Sequence, residues 1–112
     1  MKRFRYQALV TLYPVQQGGL PTSLPAETRC LVVRAADQQT HRSKLFSSVV
    51  MTADDQPLRP GDVHRLVTMQ VNGDDARQFM HPGGEFTLWF GTDVGRGTVS
   101  RQLLNWAVTG PR

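Results

Sequence analysis

Apolar Phe4, Tyr6, Ala8, Val10 and Leu12 alternate with Arg3, Arg5, Gln7 and Thr11 at the start of the chain. A period of two sends successive side chains to opposite faces, so this segment predicts a half-buried β-strand. Pro14, Gly18, Gly19, Pro21 and Pro25 crowd residues 14–27 and predict a loop. The β-branched run from Thr28 to Ala35 predicts a second strand, and the polar stretch from Asp37 to Ser43 a turn. A third strand is expected from Leu45 to Met51, with Leu45, Ser47, Val49 and Met51 inward and Phe46 and Val50 outward. The stretch from Ala53 to Asp62 reads as loop, and Val63 to Val71 as a fourth strand. Turn chemistry at Asn72 to Asp75 leads into an irregular piece reaching Gly84. In a fifth strand, Glu85 to Phe90, inward Phe86, Leu88 and Phe90 leave Trp89 facing out. A glycine-rich turn from Gly91 to Gly97 precedes a sixth strand, Thr98 to Leu104.

Six strands with no clear helical pattern predict an all-β domain covering residues 1–112. Turn signals at short intervals favour a closed antiparallel barrel, because closure removes the exposed edges of short strands. With 112 residues there is room for one modest core and little more.

Composition narrows the function classes. A chain with 39% hydrophobic and 20% charged residues has enough apolar material to fold. No apolar run approaches the roughly 20 residues of a spanning helix, and the basic start, Met1 to Arg5, is not followed by a signal-peptide core. A cytoplasmic protein without membrane contact is the expectation. The net charge of +4 is compatible with nucleic acid without demanding it. Cys30 is the single cysteine, which excludes an internal disulfide, and its apolar neighbours Leu31, Val32 and Val33 predict a buried thiol.

The residues that could carry chemistry are scattered. His41, His64 and His81 lack metal-ligand spacing. Asp54 with Asp55 and Asp74 with Asp75 sit in loops, where solvated turn residues are far commoner than paired catalytic acids. Ser47 and Ser48 lie within a strand with no histidine nearby in sequence. Glycines 95 and 97 precede no helix pattern, so they form no dinucleotide fingerprint, and strand bending or close backbone approach explains them better. Neither catalysis nor a cofactor is expected. The residues read as outward-facing, Phe46, Val50 and Trp89, predict a contact surface for a protein partner or a second copy. Cover from the 14–27 loop or from the segment containing Trp106 would account for them equally well.

Four segments in order carry a family resemblance. Leu45 to Met51, a short acidic loop, and Arg59, Pro60, Gly61 and Asp62 come first. Glu85 to Gly91, then Val94 to Val99, form the second pair; Phe4 to Tyr13 and Leu31 to Arg34 fit in front. Together they resemble the C-terminal barrel of elongation factor Tu, standing alone without its GTPase domain. The resemblance implies a six-stranded barrel that binds partners, protein or RNA, possessing no catalytic role. In that family polar side chains on the second, third and fifth strands hold the T-stem of aminoacyl-tRNA. Here those places fall near Cys30, Phe46 and Phe90, so the implied RNA or tRNA binding is weak and electrostatic, through Arg96 and Arg101. A homo-oligomeric structural protein with no role in translation is the alternative.

The chain has only two lysines, Lys2 and Lys44, and no Gly-x-x-x-x-Gly-Lys phosphate loop. Calorimetry with GTP and magnesium is therefore expected to give no heat beyond dilution, and a micromolar dissociation constant would overturn that expectation.

Overall fold

The computed structural model describes residues 2–37 and 39–103. Strands β1 (Arg3–Leu12), β2 (Glu27–Ala36), β3 (Ser43–Thr52), β4 (Arg65–Asn72), β5 (Glu85–Trp89) and β6 (Asp93–Leu103) close into a barrel in the order β1-β4-β3-β2-β5-β6. Every neighbouring pair is antiparallel. The expected all-β class, strand count and closure are therefore all present. Two helical turns interrupt the expected loops, a 3-10 turn at Val15–Gln17 and a short α1 at Ala76–Phe79. Among the described residues no helix is long and apolar enough to cross a membrane.

The interior is filled by side chains of alternate positions. Phe4, Tyr6, Ala8, Val10 and Leu12 of β1 all point inward and are buried, as the sequence pattern predicts. β6 begins five residues earlier than expected, so Gly95 and Gly97 belong to the strand and not to a turn. Their lack of side chains is required by packing. A Cβ on Gly97 would lie 2.3 Å from the Phe86 ring, and one on Gly95 would lie 2.5 Å from the Thr11 carbonyl oxygen. Glycine at 97 leaves room for the ring of its cross-strand partner Phe86, and glycine at 95 for the close approach of β1 at Thr11 and Leu12.

β3 is turned by one residue from its expected orientation. Phe46, Ser48 and Val50 are buried, whereas Leu45 and Ser47 are exposed. Both parities of Leu45 to Met51 are similarly apolar, so the strand's own pattern cannot choose between them. Its neighbours decide. Phe46 pairs with inward Val33 of β2, and Ser48 and Val50 pair with inward Val71 and Met69 of β4. The buried Ser48 hydroxyl donates to the Leu31 carbonyl at 2.8 Å, beside a bulge in β2 between Thr28 and Leu31. That bulge expels Cys30, which is exposed with φ of 65°, so the expectation of a buried thiol is wrong. Regular alternation from inward Thr28 would turn Cys30 inward; the one extra residue of the bulge leaves both Arg29 and Cys30 facing solvent.

Each end of the barrel is closed by its own device. At one end Leu24 of the 14–27 loop bridges to Leu58 of the next long loop, with N···O distances of 2.8 and 2.9 Å, and both side chains are buried. The second loop turns at Pro60 and Gly61, where Gly61 adopts φ of 90° and Asp62 accepts the Arg59 N–H at 2.9 Å. Arg65 fastens the same loop by donating to Asp62, to the Pro57 carbonyl at 3.0 Å, to the Gln56 carbonyl at 3.2 Å and to Asp54 at 3.0 Å. The Gln56 N–H and, secondarily, Arg65 hold the Asp54 carboxyl below its ordinary range. At the other end α1 packs Phe79 against Phe46, ring centroids 5.5 Å apart.

Tyr6 is fully buried, and its hydroxyl has no hydrogen-bond partner among the described residues. Burial pushes its pKa up to about 12, partly opposed by the positive charge of Arg77. A pKa raised on folding means that the unfolded chain loses this proton first, so stability falls as pH rises from about 10. Urea denaturation between pH 10 and 12 should show a loss of up to about 1.4 kcal/mol per pH unit attributable to Tyr6. Tyr6→Phe should remove that component and leave stability at neutral pH unchanged or raised, since no hydrogen bond is lost.

Candidate interaction face

The outward positions of β4, β1 and β6 form one continuous surface, and strand pairing sets their neighbours. From β1 come Arg5, Gln7, Leu9 and Thr11; Arg5 pairs with Gln70 of β4 and Leu103 of β6. Gln7 pairs with Thr68 and Arg101, and Leu9 with Leu66 and Thr98. Thr11 pairs with Arg96. Among the described outward residues of these three strands, only Asp93 at the first position of β6 is acidic. The other carboxylates of the described chain lie in loops, in turns or at the first positions of β2 and β5.

Several of them already hold cations. Asp54 and Asp62 hold Arg65, Asp75 holds Lys44 and Glu27 holds Arg29, while Asp74 accepts the backbone N–H of Lys2 at 2.8 Å. Asp93 holds Arg34 of β2 through both carboxylate oxygens, at 3.0 and 3.1 Å. Arg96 and Arg101 of the β4-β1-β6 face are left without an ion pair among the described residues. The Arg96 guanidinium makes no ion pair or hydrogen bond among the described residues, and Arg101 donates only to the Gln7 side chain, at 3.2 Å. Where like charge is uncompensated, the surface potential favours anionic partners.

A bulge aims one of these arginines. On β6 the outward residues Arg96 and Thr98 alternate with inward Gly97 and Val99. Continued alternation would turn Arg101 inward. The register shift opposite Gln7 and Ala8 inserts Ser100, and Arg101 comes back to the outer surface beside Gln7.

Beside these strands the wall dips into an open concavity of about 570 Å³ whose lining includes Leu9, Thr11, Arg34, Thr87, Arg96 and Thr98. Arg34, Thr87, Arg96 and Thr11 occupy one cross-strand row over β2, β5, β6 and β1. The basic side chains and hydroxyls can donate to an anion, but Glu85 also borders the concavity and limits its charge.

The contact surface expected at Phe46, Val50 and Trp89 does not form. Phe46 and Val50 are 3% and 1% exposed and belong to the core, for the reason of strand parity given above. Trp89 faces outward as expected and is 39% exposed, but β2 lies between its strand and β3. Phe90, expected inward, lies beyond the end of β5 and is exposed. The segment containing Trp106, and Leu104 of the expected sixth strand, lie outside the described residues. Arg96 and Arg101 do share one outer face.

Sequence reasoning missed Arg5, Leu9 and Leu66 as members of this face. For Leu9 the signal was present, since inward Ala8 and Val10 force it outward. For Leu66 the missing information was that β4 lies beside β1. No protein-family model and no curated protein matches the chain.

The corrected orientation of β3 has a measurable consequence. Phe46→Ala should cost about 3–5 kcal/mol in urea denaturation, because it opens a cavity under α1. Trp89→Ala, on the half-exposed side of β5, should cost less than half as much.

Proposed function

We propose that the chain is a non-catalytic binding module of the elongation factor Tu C-terminal barrel type, whose partner is a protein or an RNA. The observation that carries this reading is the β4-β1-β6 face, where Arg5, Arg96 and Arg101 stand on adjacent or nearby rungs with no carboxylate among them. The six-stranded antiparallel closure and the order of the sequence motifs support the family assignment. Arginine suits such a role because its charge is permanent and its planar fork donates to carboxylates and phosphates alike.

Binding that depends on this face is electrostatic and weakens with salt. Fluorescence anisotropy with a labelled single-stranded RNA should show affinity falling roughly tenfold or more between about 50 and 200 mM salt, with little sequence preference. Arg96→Ala and Arg101→Ala should each weaken it to a similar degree for all RNAs and flatten the salt dependence. A tight, salt-resistant complex with aminoacyl-tRNA would point to recognition by shape and hydrogen bonding, against this reading.

A further inference from the structure

The centre of the basic face is apolar. Leu9 of β1 and Leu66 of β4 are direct cross-strand partners, and each is 39% exposed. Thr98 of β6 continues their row, which ends in Glu85 of β5. One rung to one side lies the Gln7–Arg101 row, and one rung to the other lies the Thr11–Arg96 row. Successive outward positions of a strand are about 6.8 Å apart, so the Arg96, Leu9–Leu66 and Arg101 rows follow one another at that interval, with both arginines on β6 and able to reach sideways over β1. An extended polypeptide repeats its own side-chain direction at the same interval.

We infer that the β4-β1-β6 face docks an extended acidic segment of a partner protein, whose downward side chains run acidic, apolar, acidic. The apolar side chain sits on Leu9 and Leu66, and the flanking carboxylates meet Arg101 and Arg96. This deepens the binding-module reading and rests on it. Charge decides against a second copy of the chain as occupant: a two-fold contact through this face would set arginines against arginines. The face also suits polypeptide better than RNA. No aromatic side chain stands outward on β4, β1 or β6 among the described residues, and bases are held on single-strand platforms chiefly by stacking on aromatic rings. An apolar centre rimmed by arginine is the pattern of a protein contact.

The test uses the full chain and three labelled probes of equal net charge. The first is a peptide in which Glu and Leu alternate at every second position with Ser between them. The second replaces each Leu of that peptide with Ser, and the third is an oligouridylate. The Glu/Leu peptide should bind about fivefold or more tightly than the Glu/Ser peptide, a difference on the order of one well-packed contact. The double variant Leu9→Thr and Leu66→Thr keeps residues suited to strands, and it should erase that difference while leaving the Glu/Ser affinity unchanged. Arg101→Gln should weaken both peptides. Circular dichroism of each variant establishes that the barrel is intact. Equal binding of the two peptides, or tighter binding of the oligouridylate, overturns the inference while leaving an electrostatic binding module standing. Absence of binding by all three probes overturns both.

Discussion

Phe86 of β5 and Gly97 of β6 are cross-strand partners, and the inner wall of the barrel has no room there for two side chains. The ring occupies the volume that any side chain at position 97 would need. With Gly97 fixed inward, Arg96 and Thr98 have to face solvent, since neighbours on a strand take opposite faces. The pairing of Gly97 with Val10 and of Thr98 with Leu9 then ties the register of β6 to that of β1. Packing inside the wall thus determines which residues are presented at the surface.

The same constraint explains how irregularities are placed. Two of the three bulges fall where regular alternation would put the wrong residue on a face. In β2 the bulge leaves Leu31 inward, with its carbonyl accepting from the buried Ser48 hydroxyl. In β6 it returns Arg101 to the outside. Carboxylates are used mainly at the ends of the barrel, where Asp54 and Asp62 hold Arg65 and so secure the loop carrying Leu58. The exposed Asp54 makes its pair with Arg65 a weak one, and Arg65 contributes further as a donor to the Asp62 carboxylate and to two loop carbonyls.

Legibility in the sequence followed the strictness of alternation. β1 was readable to the residue because its polar and apolar positions differ sharply, and Phe86 and Leu88 of β5 were readable for the same reason. β3 was not, because Leu45, Val49 and Met51 on one parity are as apolar as Phe46 and Val50 on the other. Cys30 was misplaced because neighbouring Leu31, Val32 and Val33 advertise burial, while a bulge leaves no mark in a run of β-branched residues. Arg96 and Arg101 could be singled out from the sequence. Their company could not: Arg5, Leu9 and Leu66 join them only because β1 lies between β4 and β6, an adjacency that no local pattern encodes.

The expulsion of Cys30 from β2 has a practical side. In the order β1-β4-β3-β2-β5-β6 the second strand lies three places from the first in either direction, so the exposed sulfur stands across the barrel from the arginine-bearing wall. The chain has one cysteine. A maleimide dye or a surface tether attached there would hold every molecule in one orientation, with the opposite wall turned toward solution.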